Sequence, residues 1–135
     1  MTVEVGTELP PFVVDGVPVE TMKTVAALLH DPNPIHFDAD SVRTLGMGEK
    51  PVNQGPTNMA YVVNMLVAWA GDPAAVRALK VRFLGNVFAG DRVAARGVVT
   101  GVREAGGERL VDLDVWLERA EDDRVLDGTA TVALG

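Results

Sequence analysis

The chain has 135 residues, 47% of them hydrophobic and 5% aromatic, with no cysteine, two histidines and a formal net charge of −7. A chain of this length reads as one domain, 1–135, and buries roughly two-thirds of its unfolded surface. Its composition excludes disulfides, thiolate metal sites, Fe–S clusters, cysteine nucleophiles and His-rich metal sites, and 19 acidic against 12 basic residues argue against a nucleic-acid partner.

The first residues, MTVEVGTELPPF, carry no basic region followed by an apolar stretch, so no signal peptide is expected. The longest apolar tract, Met59–Ala70, is interrupted by Asn64 and falls short of the ~20 residues that span a bilayer. A cytoplasmic protein without a membrane partner is the simplest expectation. Aromatics are scarce, so Val, Ala and Leu must build most of the core.

In chain order, Thr7–Val14 reads as a short strand. Pro18 suits a first helical turn, and Val19, Met22, Val25, Ala26 and Leu29 then fall on one helical face, which predicts a helix over Val19–Leu29. The prolines of His30-Asp31-Pro32-Asn33-Pro34 forbid its continuation. A short helix is expected over Ala39–Leu45, closed by Gly46, and then a loop over Met47–Gln54. A second helix starts at Gly55-Pro56. Its body, Thr57–Ala70, is apolar on nearly every face, as in a helix wrapped by other structure, and Gly71-Asp72-Pro73 ends it.

The second half has strand texture. Arg77–Phe88 has a mixed apolar pattern, and Arg92–Val102 puts Val93, Ala95, Gly97 and Val99 on one face. Arg109–Arg119 alternates Val111, Leu113, Val115 and Leu117 with Asp112, Asp114, Trp116 and Glu118. Ala105-Gly106-Gly107 and Glu121-Asp122-Asp123 are turns, the latter before a last strand over Val125–Leu134. The expected class is α+β, an antiparallel sheet curled around a buried helix. Such a sheet leaves an open edge, so dimerisation is expected.

Both histidines lie in the stretch His30-Asp31-Pro32-Asn33-Pro34-Ile35-His36. The prolines stiffen it and hold Asp31 and His36 in a fixed relation at low entropic cost. A carboxylate beside an imidazole is equipment for moving a proton or activating water. The Asn33 amide suits a turn stabiliser. Spacing alone also admits an ordinary Asp-Pro and Asn-Pro turn with His36 on the surface.

This stretch resembles the hydratase motif of the MaoC-like, (R)-specific enoyl-CoA hydratases and dehydratases, Gly-Asp-x-Asn-Pro-(Leu/Ile)-His followed by a small residue and a glycine. Here the glycine's place is taken by His30, the small residue's by Val42, and Gly46 follows. Where the family usually has His-Gly at a helix start, this chain has Gln54-Gly55. Val81–Asp91 is similar to the family's strand leading to a Gly-Asp turn. A hydroxyl residue that often supports the aspartate falls near Val63, which cannot hydrogen-bond.

The resemblance implies a hot-dog fold and reversible syn hydration of a trans-2-enoyl thioester to an (R)-3-hydroxyacyl thioester, or the reverse dehydration. It assigns Asp31 and His36 to gripping one water and moving protons. It assigns the backbone N–H of Gly55 to the thioester oxygen, against the alternative of a plain loop-to-helix glycine. Asn33, Arg43, Lys80 and Arg82 are candidates for substrate binding, the three cations for the carrier's phosphates; Asn33 is more readily structural, and each cation also suits a solvated surface. His30 reads as a solvated helix-end residue. Asn58 and Asn64 are amides on the apolar helix, read as structural. No metal and no resident cofactor are implied; the coenzyme A or acyl-carrier-protein thioester is the substrate. A homodimer, or a heterodimer in which this chain is the catalytic one, is implied as well. A hot-dog thioesterase, using a carboxylate and a helix N-terminus, is the alternative. Acyl length and type stay open among fatty, steroid and polyketide chains.

Overall fold

A computed structural model describes residues 2–31 and 33–135; Pro32, one of the residues expected to stiffen the motif, lies outside them. The elements run β1 (Phe12–Asp15), α1 (Val19–Leu29), α2 (Ala39–Thr44), α3 (Gly55–Ala70), β2 (Val76–Phe83), β3 (Arg92–Ala105), β4 (Glu108–Ala120) and β5 (Asp123–Leu134). Single 3-10 turns, Pro34–His36 and Pro73–Ala75, precede α2 and β2.

The strands form one antiparallel sheet in the order β1-β3-β4-β5-β2. Its centre is the pair of long hairpins β3–β4 and β4–β5, turned at Gly106-Gly107 and near Asp122. The alternation in β4 is realised: Val111, Leu113, Val115 and Leu117 are all buried. They pack with Val62, Met65 and Leu66 of α3 and with Leu126 and Val132 of β5. Fully burying a side chain of this size contributes about 1.5–3 kcal/mol, so this Val/Leu layer holds helix and sheet together. The arrangement is the hot-dog α+β fold.

Several expectations need correction. The first strand is shorter and later than Thr7–Val14. Pro10 and Pro11 have no N–H to give a ladder, so regular pairing starts only at Phe12. The residues before them still follow β3 through Gly6 N–H to Val99 O at 2.8 Å and Leu9 N–H to Gly97 O at 3.0 Å. The strand expected over Arg77–Phe88 ends at Phe83, where Leu84 and Gly85 both donate to the Val125 carbonyl and turn the chain.

Helix α3 is not covered all round. Ala60, Asn64 and Ala68, one turn apart each, form an exposed stripe. Asn64 is therefore solvated and needs no buried partner. Leu29, counted in the apolar face of α1, is 52% exposed, because α1 ends there and the chain leaves the core.

Candidate active site

Three segments build the site: the end of α1, the 3-10 turn, and the run Val52–Gly55 that enters α3. The α1 terminus closes with His30 in the left-handed conformation at φ 52°, its N–H directed to Ala27 O, while Asp31 N–H donates to Ala26 O at 2.9 Å. This Schellman-type closure locks the Asp31 backbone onto the last turn of the helix. It also explains why the motif favours glycine at position 30, since a side chain costs about 1–2 kcal/mol in that conformation.

Beyond the cap, Asp31 Oδ1 accepts from Asn33 N–H at 3.0 Å, and Asn33 Oδ1 accepts from Ile35 N–H at 3.2 Å. Asn33 therefore caps the 3-10 turn that delivers His36. This is the turn-stabilising task its amide suggested.

His36 is buried, and its Nδ1 lies 2.7 Å from Val52 O. A carbonyl only accepts, so Nδ1 carries the proton in this bond. In the neutral ring Nε2 is then an acceptor, and it sits 3.3 Å from Asp31 Oδ2. Two acceptors facing each other call for a proton donor between or beside them. The Asp31 side chain is 31% exposed and that of His36 11%, so the carboxylate is the more accessible member of the pair.

The same segment holds the third candidate. Val52 N–H donates to Ile35 O at 2.7 Å, so it runs beside the 3-10 turn. Gly55 follows three residues later, at most about 10 Å of chain away. Thr57 and Asn58 both donate to Gln54 O at 3.1 Å, and Pro56 has no N–H. Gly55 N–H is therefore the donor of the first turn without a protein acceptor among the described residues, at the positive end of a 16-residue helix. A Cβ built on Gly55 would stand 3.3 Å from the Phe83 ring, so glycine is what lets ring and helix start approach this closely.

Buried polar groups surround this segment. Asn53 N–H donates to Val87 O at 2.7 Å and its Nδ2 to Asn58 Oδ1 at 2.8 Å, with Tyr61 OH 3.4 Å away. Burial pushes the Tyr61 hydroxyl above its ordinary pKa. Asn58 is thus structural, as read from the sequence. Gln54, 1% exposed, donates from Nε2 to Met22 O at 2.8 Å. Sequence reasoning missed Val52, Asn53 and Phe83 as parts of the site and saw Gln54 only as a substitution. Their partners are backbone atoms or lie far along the chain, and no motif spacing signals either.

The three cations are not gathered into one cluster. Arg43 on α2 pairs with Asp40 beside it. Lys80 and Arg82 alternate in β2 with Leu79 and Val81, which pack on the core, so both cations lie on the outer face of the sheet. Arg82 is held there by Asp127 through two 3.1 Å bonds, which raise the guanidinium pKa and lower that of the carboxyl. Close to the site, a surface cleft lined by Met47, Gly48, Glu49, Lys50, Phe88 and Asp91 opens beside the Val52–Phe88 bridge. A larger cleft, lined in part by Asp72, Arg77, Glu108 and Arg109, lies at the far end of α3, about 24 Å from Gly55 along a helix of this length. Among the described residues no group of three or more His, Asp or Glu is placed to hold a metal, and no helix is long and apolar enough to cross a membrane.

The family model of the MaoC like domain matches residues 9–119, most of the chain, and the protein belongs to this MaoC-like dehydratase family. Among solved structures, the chain is similar to the (R)-hydratase from A. caviae involved in PHA biosynthesis, at 24% identity and TM-score 0.85 over 99% of this chain and 98% of that one. It is similar to the ChsH1-ChsH2 complex from Mycobacterium tuberculosis at 22% identity and TM-score 0.80, over 100% of both chains. It is also similar to the C-terminally truncated HadBC (3R-hydroxyacyl-ACP dehydratase) complex from Mycobacterium tuberculosis, at 18% identity and TM-score 0.77 over 98% of both chains. These likenesses establish the shared fold. No curated protein sequence matches the chain.

Proposed function

We propose that the protein is an (R)-specific hydratase or dehydratase of enoyl thioesters. The observation that carries this reading is the pairing of Asp31 Oδ2 with His36 Nε2 at 3.3 Å while Nδ1 is held by Val52 O. Both groups accept on the side where they meet. A water donating to both loses one proton to the pair as its oxygen bonds to C3 of the trans-2-enoyl group. The C2=C3 electrons move toward the thioester, and the pair returns one proton to C2 on the same face. Water adds across the double bond with no net change in the protein. The thioester oxygen gains charge in this step, and Gly55 N–H is the donor aimed to receive it. Such a donor is worth about 10²–10³ in rate.

The thioester of coenzyme A or of an acyl carrier protein enters as substrate, and no resident cofactor is needed. The family membership and the named activities of the A. caviae and HadBC proteins support the reaction class. Two of the similar structures are complexes, ChsH1-ChsH2 and HadBC, which supports pairing of this chain with a second copy or a related chain.

Purified protein given crotonyl-CoA is expected to remove the enoyl-thioester absorbance, with a 3-hydroxyacyl-CoA of R configuration as product and no free thiol. Thiol release without hydration would replace this reading with that of a thioesterase.

A further inference from the structure

Gln54 is one of the most deeply buried polar side chains of the described residues, at 1% exposure, yet only half of its amide is used. Nε2 donates to Met22 O, 32 residues earlier in the N-terminal half of α1, while Oε1 is buried without a partner among the described residues. Gln54 occupies the N-cap position of α3, but its side chain does not cap that helix. It reaches across to α1 instead.

The connection matters because α1 carries Asp31 at its end, and the Met22 and Val19 side chains that hold the helix on the core do so by apolar packing, which sets no direction. Its own side-chain bonds, Lys23 and Thr24 to Glu20, stay within the helix. Among the described residues, the Gln54–Met22 bond is the hydrogen bond that joins α1 to the segment entering α3. Asp31 is locked to the end of α1 through Ala26 O, so it goes where α1 goes. His36, in contrast, is tied directly to Val52 O.

We propose that Gln54 is a positioning residue: its amide clasps α1 at Met22 O and so sets Asp31 against His36 and Gly55. The run Val52–Gly55 then aligns all three groups, Val52 through His36, Gln54 through α1 and Asp31, and Gly55 through its own N–H. The inference rests on the hydratase reading for its consequence in catalysis, but the clasp itself is a matter of geometry. The stability that this bond adds is offset within the same amide. A buried amide oxygen without a partner is a cost, which an apolar side chain of similar length avoids. What the amide has and such a side chain lacks is one directional bond.

Gln54→Met tests this, because methionine fills similar space without a donor. The folded variant is expected to melt at or above the wild-type Tm, while kcat on crotonyl-CoA falls about tenfold or more with KM nearly unchanged, as a displaced catalytic group demands. Wild-type kcat in this variant overturns the proposal, as does a loss of kcat that only follows a fall in Tm. Should the methionine variant not fold, Gln54→Glu serves. The neutral carboxyl donates to Met22 O and the ionised one repels it, so optimum activity is expected to move to lower pH; a profile superimposable on wild type overturns the proposal. An amide NMR spectrum separates the clasp from the reaction. Loss of the clasp shifts both the Asp31 and Gly55 resonances in the folded variant, even if wild-type protein hydrates nothing. An unmoved Asp31 overturns the proposal, whereas absent wild-type turnover alone overturns the hydratase reading.

Discussion

At the scale of single residues, the site depends on which atoms are free. His36 has its Nδ1 committed to Val52 O, and that one bond decides that Nε2 meets Asp31. The Asp31–Asn33–His36 unit was legible in the sequence because all its parts are side chains within one short motif. The Val52 carbonyl was not, since a backbone atom leaves no trace in residue identity. His30 shows the reverse: the sequence marks a departure from glycine, and the left-handed φ of 52° gives the reason glycine belongs there. His30 is exposed and no hydrogen bond of its side chain is found among the described residues. His30→Gly is therefore expected to relieve the strain, less the greater entropy that glycine loses on folding. A net gain of about 0.5–1 kcal/mol in urea unfolding is expected. A loss of stability would mean that the imidazole makes a contribution of its own.

At the scale of elements, periodicity located α1, α3, β3, β4 and β5 well, because each carries an apolar face at regular spacing, even where β3 and β5 also bury a neighbouring residue. It failed where pairing depends on the neighbouring strand. Proline-interrupted Thr7–Pro11 follows β3 without forming a ladder, and β2 ends early where Leu84 and Gly85 turn onto Val125 O. The β2–β5 seam has a further condition the sequence hides. A Cβ on Gly128 would lie 1.9 Å from Lys80 O and 2.9 Å from Val81 Cα, in the backbone of the facing strand. No side-chain rotation relieves such a contact. Gly128→Ala is expected to destabilise the fold by about 1–3 kcal/mol or more, as overpacking does, with β2 the first element to lose amide protection in hydrogen exchange. Wild-type stability in this variant would show that the seam tolerates a side chain there.

At the scale of the whole molecule, the sheet curls over one side of α3 and does not close upon itself. Its outer strand β2 has β5 on one side and an open edge on the other, with Phe83 and Leu84 half exposed at its end. Phe83 is also the ring against Gly55, so the open edge and the site adjoin. An eight-residue open edge beside exposed apolar side chains is a surface to be covered. Sedimentation is expected to find a dimer, or a complex with a related chain; a stable, active monomer would contradict it. The sequence pointed to a partner through the uncovered edge. It did not reveal which face of the helix stays bare, because an apolar composition on nearly every face of α3 conceals the exposed stripe Ala60, Asn64 and Ala68.

The acid–base pair is tested most directly by the rate of crotonyl-CoA hydration in Asp31→Asn and His36→Ala, each compared with wild type at equal folded concentration. Asparagine keeps the shape of Asp31 but cannot take a proton, and alanine removes the imidazole that Val52 O orients. Each variant is expected to lose about 10²–10⁴ in kcat while remaining folded. Hydration by either variant at a rate near that of wild type would contradict the assignment of Asp31 and His36 as the groups that activate water.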